Sequence, residues 1–299
     1  MKPFNLLCVL FLLLKGTAFS QSNVLVLQTD FGLKDGAVSA MKGVAVGVSP
    51  QLKIYDLTHE IPPFNIWEAA YRLQQTAAYW PKGTVFVSVI DPGVGSERKS
   101  VVLQTKSGHY FVTPDNGTLT LVAESMGIEA MREIDETRNR LPGSSASYTF
   151  HGRDVYAYTG ARLAAGVIPF DSVGTRLPDS VVRISYQEAV FKNNTVYGNI
   201  PILDVQYGNV WTNISEKTLQ PLGLKFGDRL SVKIFKGGIL MFTGTLPFAA
   251  TFASVPEGAL LAYQNSLMNL SFAINYGNLA ETYNLASGPE WTVEVTKAP

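Results

Sequence analysis

From Asn23 the chain reads NVLVLQTDF, a continuous apolar run that closes on polar residues. This predicts a strand buried on both faces, with Thr29, Asp30 and Phe31 at its carboxyl end. DGAVSAMKGVAVGV then sets small and apolar residues at helical spacing, and LKIYDLTH predicts a second strand. In NIWEAAYRLQQTAAYW, residues Ile66, Ala69, Ala70, Leu73 and Ala77 fall on one helical face. GTVFVSVID predicts a third strand, apolar at its centre and acidic at its end, Asp91. Strands alternating with helices imply a largely parallel sheet covered on both faces, in which the loops after the strands build the site.

From about Val181 the texture changes. TVYGNIPILDV, RLSVKIFKGGILMFTGTL, GALLAYQNS and WTVEVTKA are short alternating segments separated by Gly, Asn and Pro turns, an all-β pattern suited to a small barrel or sandwich. The break falls between Ser185 and Asn194. It divides the chain into an α/β domain over residues 22–188 and an all-β domain over residues 194–299.

The amino terminus stands apart from both. Lys2, the apolar run from Leu6 to Leu14 and the small residues ending at Ala18-Phe19-Ser20 form the pattern of a cleavable secretory leader over residues 1–20, too short to span a bilayer comfortably. An exported, periplasmic or secreted protein is the expectation. Loss of Lys2 and Lys15 turns a balance of 24 basic and 24 acidic residues into a slight acidic excess, which gives no attraction to nucleic acid or to an anionic membrane. Cys8, the single cysteine, leaves with the leader, so disulfides, thiol nucleophiles and cysteine-ligated metals are excluded from the mature chain.

The glycine-rich loop DPGVGSERKS invites a phosphate-binding reading, but Arg98 stands where the glycine before Lys99 would have to be. His59, His109 and His151 show no metal-ligand spacing, so no metal is expected. What remains is a set of polar residues near strand ends: Asp30, Asp91, Arg98, His151 and Asp204. An acid, a guanidinium and an imidazole brought together can orient and deprotonate a water, with the guanidinium keeping the carboxylate ionised. Taken alone, Asp91 with Arg98 reads first as an ion pair tying down a loop, and His151 as a hydrogen-bonded structural imidazole.

The segments TDFG, DLTHEIPPFNIWEAA, VIDPGVGSERKS, PDNGTLT, TFHGRD, DVQYGNVWTNI, QNS and INYGN, taken in order, change those odds. Together they resemble the S-adenosyl-L-methionine (SAM) hydrolases, or SAM hydroxide adenosyltransferases, relatives of the SAM-dependent fluorinase and chlorinase. The resemblance spans about Val24 to Val295. It implies an α/β domain joined to a small β-barrel, in a homotrimer with active sites between the amino domain of one subunit and the carboxyl domain of the next. It also implies displacement at ribose C5′ by water, releasing adenosine and L-methionine without a cofactor.

By the same resemblance, Asp91, Arg98 and His151 match the triad associated with the water. Asp30 matches the acid that receives the ribose hydroxyls, Phe64 and Tyr207 the aromatics around the nucleoside, and Asn209 with the backbone at Tyr276 the adenine contacts. Asp204 and Ser266 match groups near the methionine ammonium and carboxylate. The fluorinase has tyrosines at the first and third triad positions and then a halide-contacting serine. Asp91, His151 and Gly152 stand there in this chain, with Gly152 leaving space, and favour hydroxide over halide. Leu267 replaces an arginine next to the serine, which removes one ionic partner for the amino-acid carboxylate. An exported nucleoside-binding protein without useful catalysis and a SAM-dependent halogenase are the alternatives.

Overall fold

The computed structural model describes residues 22–299; the leader read over residues 1–20 lies outside them. The first part of the chain holds β1 (Val24–Thr29), α1 (Ala37–Val48), β2 (Lys53–Thr58), α2 (Ile66–Ala77), β3 (Val85–Val89), β4 (Ser100–Thr105), β5 (Tyr110–Pro114), α3 (Thr120–Met126), β6 (Ile128–Glu133), α4 (Glu136–Asn139), a π-helical turn (Gly152–Ala157), α5 (Tyr158–Ala164) and β7 (Arg176–Leu177).

The seven strands form one sheet in the order β2-β1-β3-β5-β4-β6-β7. Pairings β1–β2, β1–β3 and β3–β5 are parallel, whereas β4–β5, β4–β6 and β6–β7 are antiparallel, so the sheet is mixed rather than largely parallel. The departure has a plain cause. SVVLQT and YFVTP are joined by the short connection Lys106–His109, which suits a hairpin and leaves no room for a crossover helix.

Alternation along β1 assigns its two faces. Leu25 and Leu27 pack with Met41, Ala45, Val87 and Ala161 under α1 and α5, while Val24 and Val26 pack with Leu73, Ala77, Phe86 and Phe111 under α2. Both faces are therefore covered, and β1 is buried along its whole length. On α2 the apolar face is the one anticipated, widened by Trp67 and Tyr71, and Asn65 caps the helix by accepting from the Glu68 amide at 3.0 Å.

The second part holds β8 (Val190–Lys192), β9 (Thr195–Asn199), β10 (Ile202–Asp204), β11 (Asn209–Ser215), α6 (Glu216–Leu219), β12 (Arg229–Lys236), β13 (Ile239–Pro247), β14 (Leu260–Gln264), β15 (Asn269–Ile274), α7 (Leu279–Tyr283) and β16 (Trp291–Lys297). These strands make two antiparallel sheets, β10-β11-β15-β14 and β13-β12-β16-β9-β8. Val210, Ile214, Leu270 and Phe272 from the first share one core with Val196, Val232, Ile234, Val293 and Val295 from the second. The sheets are open, with a single bridge between Phe248 and Ala262 outside the strands, so a closed barrel is not formed among the described residues.

The two parts meet where Trp67, Tyr71 and Leu121 pack against Ile202, Trp211 and Leu267. Trp67 Nε1 donates to the Pro201 carbonyl at 2.9 Å across this junction. Leu267, at the position of the relative's arginine, thus contributes to domain packing.

Candidate functional site

β1 and β3 run parallel and adjacent, so their carboxyl ends deliver Asp30 and Asp91 to the same edge of the sheet. A cavity of about 440 Å³ opens there, lined by Asp30, Phe31, Phe64, Asp91, Phe150 and His151 among others. Phe31 and Phe150 meet edge to face at 5.8 Å within its wall.

Asp91 is held on both oxygens. Arg98 Nε donates to Oδ1 at 2.9 Å and Nη2 to Oδ2 at 2.6 Å, with both side chains largely buried. Arg98 Nη1 reaches Ser100 Oγ at 3.0 Å; that hydroxyl lies 3.1 Å from Tyr156 OH, which donates to Asp91 Oδ2 at 3.4 Å. Burial, the largest single influence, pulls the guanidinium down, but the Asp91 hydrogen bond together with the charges of Tyr156, Asp91 and Glu136 outweighs it, and Arg98 sits above its ordinary value. Burial, reinforced by the Asp91 charge, raises Tyr156 far above an ordinary phenol, so it stays a donor. Arg98 itself does not line the cavity. It stands behind Asp91, and the carboxylate is presented to the space.

His151 lies on the same wall, immediately before the π-helical turn, a wide turn of the kind found at functional sites. Its Nε2 is 3.0 Å from Arg140 Nη2 and 3.5 Å from Glu136 Oε2, while Nδ1 is buried without a partner. Burial pushes the imidazole below its ordinary value; Arg98 and Arg140 push the same way, and Glu136 and Asp91 oppose them. Glu136 and Arg140 were not singled out from the sequence. Their i, i+4 spacing, acid first, is the one signal that could have found them. The Leu141 amide donates to the Asp154 carbonyl at 2.8 Å, which brings the end of that segment against the turn carrying His151.

Gly152 does not leave open space. A Cβ there would approach Phe31 Cζ to 3.1 Å and Val89 Cγ1 to 3.2 Å, so the glycine reflects close packing beneath the cavity. Asp154, fully buried, is paired by Arg153 at 2.6 Å within the first turn of the segment.

Asp30 accepts from the Phe64 amide at 3.0 Å, and Phe64 holds a left-handed φ of 67° with 70% of its surface exposed. A bulky side chain in that conformation is uncommon and marks a constrained position. Beneath Asp30, Thr29 Oγ1 bonds His59 Nδ1 at 2.8 Å and His59 Nε2 bonds the exposed Asp56 at 3.0 Å, a relay that ties the end of β1 to β2.

The remaining sequence-selected residues lie elsewhere on the chain. Asp204, Tyr207, Asn209 and Tyr276 line a second cleft of about 890 Å³, which shares no lining residue with the first. Asp204 and Asn209 face each other across the β10–β11 hairpin, with Asn209 Nδ2 donating to Asp204 Oδ2 at 3.3 Å. Gly208 closes that hairpin with φ 66°, and a Cβ on it would collide with Asn278. Tyr276 also takes a left-handed φ, 56°, and is 88% exposed; Tyr207 is 65% exposed. Ser266 is exposed on the turn between β14 and β15 and lines neither cleft. Among the described residues no cluster of metal-binding side chains occurs, and no helix is long and apolar enough to cross a membrane.

Two family models match the chain: the SAM hydroxide adenosyltransferase N-terminal domain over residues 25–174 and the corresponding C-terminal domain over residues 198–292. The (R)-S-adenosyl-L-methionine hydrolase of Methanocaldococcus jannaschii is 41% identical over 222 residues, 73% of this chain and 76% of its own length. The fluorinase of Nocardia brasiliensis is 31% identical over 297 residues, 91% of this chain and 97% of its own. A crystal structure of an uncharacterized conserved protein from Thermotoga maritima matches with a TM-score of 0.81 at 35% identity, covering 92% of this chain and 100% of that one.

Proposed function

The chain belongs to the SAM hydroxide adenosyltransferase family, and on that premise we infer that it is an enzyme hydrolysing S-adenosyl-L-methionine to adenosine and L-methionine. The relative named for the (R) sulfonium epimer supports that epimer as the substrate form. The observation that carries the reaction is the placement of Asp91, clamped by Arg98, on one cavity wall with His151 and Asp30.

The sulfonium leaves as a neutral thioether, so bond cleavage needs no general acid and no cofactor. The protein's task is to hold a water in line with the C5′–S bond and to keep bulk solvent away. Asp30 accepts the ribose hydroxyls and sets C5′ over the acid end of β3. Asp91, held on both oxygens by Arg98, accepts a hydrogen bond from the attacking water. As C5′–O forms and C5′–S breaks, the oxygen becomes a strongly acidic oxonium, and even a carboxylate paired with a guanidinium is basic enough to take its proton. The close packing of Phe31 and Val89 on Gly152, where the halogenating relative has a serine, favours water over halide.

The other half of the site is supplied by the second cleft of a neighbouring copy in a homotrimer. Phe64 from one subunit and Tyr207 with Tyr276 from the next would cover the nucleoside, and Asn209 would read the adenine edge. Asp204 would hold the amino acid from within that cleft, and Ser266 from the exposed turn outside it. Support comes from the division of the candidate residues between two separate clefts, and from large aromatic surfaces left bare at both. Export by the residue 1–20 leader places the reaction outside the cytosol.

Incubating the mature protein with resolved (R) and (S) epimers and separating the products by chromatography tests the reading. Adenosine and methionine in equal amounts are expected; tight adenosine binding with no turnover would replace the enzyme by a nucleoside-binding protein.

A further inference from the structure

The surroundings of His151 specify more than its position. Arg140 Nη2 carries two N–H groups and meets two acceptors, Glu136 Oε2 at 2.6 Å and His151 Nε2 at 3.0 Å. A guanidinium only donates, so the ring nitrogen facing it must present its lone pair. An N–H on Nε2 would point at an N–H of Arg140. Glu136 would favour such a proton, but its oxygen is 3.5 Å from Nε2, beyond good hydrogen-bond length, and is already engaged by Arg140. Arg140 is itself fixed, with its guanidinium 4.6 Å from the Tyr148 ring centre and a side chain that is only 9% exposed.

A neutral imidazole with a bare Nε2 carries its proton on Nδ1. That atom is buried and has no protein partner, in a residue that lines the cavity beside Asp91. We propose that Arg140, braced by Glu136, is a positioning residue that fixes His151 as the Nδ1–H tautomer, so that His151 donates to the attacking water instead of deprotonating it. The inference rests on the water-attack reading above. One lone pair of the water accepts from Nδ1–H and one of its protons is directed to Asp91, which leaves the second lone pair for C5′. As the C5′–O bond forms, that proton passes to the Asp91 carboxylate, and the C5′–S electron pair leaves on the methionine sulfur. His151 gains and loses no proton in the cycle.

The test is nitrogen NMR of the protein labelled with ¹⁵N-histidine and free of substrate. Only three histidines occur, and a His151→Gln spectrum identifies the ring in question. At neutral pH the wild-type ring should show a protonated Nδ1 and a bare Nε2; a protonated Nε2 would overturn the proposal without any variant of Arg140 being needed. In Arg140→Met, the Glu136 carboxylate is the remaining partner for Nε2, and the ring should move to the Nε2–H form. Turnover of SAM should then fall roughly 10- to 100-fold with KM nearly unchanged, and Arg140→Lys, which also only donates, should restore part of it. An unchanged tautomer and unchanged turnover in Arg140→Met would contradict the proposal. Because the tautomer is read without substrate, failure to release adenosine would remove the hydrolase reading separately.

Discussion

Arg98 grips Asp91 through two hydrogen bonds of 2.9 and 2.6 Å, and Asp91 in turn lines a cavity with Asp30 and His151. An ion pair that merely tied down a loop would not need to present one partner to that space.

Asp91→Asn keeps the shape and removes the charge. Turnover should drop by about 10²- to 10⁴-fold while KM changes little, as for a group acting in the transition state. Steady-state kinetics with SAM checks this, and near-normal turnover would remove Asp91 from the reaction.

Asp30→Ala should act in the opposite sense. Losing hydrogen bonds to a charged acceptor costs about 1.5–3 kcal/mol, so KM should rise roughly 10- to 150-fold. The variant also frees the Phe64 amide from its 3.0 Å contact, and Asp30→Asn, which retains one acceptor, should recover part of the affinity.

Much of this was legible in the sequence. β1 and β3 announce themselves as apolar runs ending in an acid, and two such adjacent strands put Asp30 and Asp91 side by side. The apolar run of β4 does not state its direction, because a strand buried on both faces reads the same whichever way it points; the signal lay instead in the short connection Lys106–His109, too short for a crossover helix. Closure of the β sheets was illegible for a similar reason: alternation states which residues face inward and is silent on whether the last strand meets the first. Glu136 and Arg140 reach His151 only because the loop from Leu141 to Phe150 folds back on the π-helical turn, a long-range arrangement with no periodic signature.

The depressed imidazole of His151 gives a pH dependence with a definite sign. Its ordinary value is 6.5, and the folded protein holds it lower, so below pH 6.5 the unfolded chain binds a proton that the folded one refuses. This contribution to stability is present above pH 6.5 and is lost as pH falls through the folded value. The acid limb of turnover that belongs to His151 should accordingly lie below pH 6.5. A limb centred above it would contradict a neutral His151 held by Arg140.

Gly152→Ser restores the side chain that the halogenating relative carries. With Phe31 and Val89 already at 3.1–3.2 Å from the new Cβ, the change should cost about 1–3 kcal/mol in denaturant unfolding and should not yield 5′-halo-adenosine in chloride or fluoride. Formation of the halide product by this single change would show the space to be available after all.

Shared sites predict complementation. Asp91→Asn protein and a Tyr276→Ala, Asn209→Ala protein, each inactive alone, should regain activity when their subunits are mixed and reassociated, because some interfaces then pair two intact halves. Sedimentation should give a trimer, and absence of any recovery in exchanged trimers would place both halves in one subunit.

Water as the nucleophile at C5′ is the central claim, and hydrolysis of SAM in H₂¹⁸O followed by mass spectrometry tests it most directly. The account predicts one ¹⁸O in the 5′-hydroxyl of the released adenosine and none in the methionine. Adenosine released without the label, or label found only in the amino acid, would contradict it.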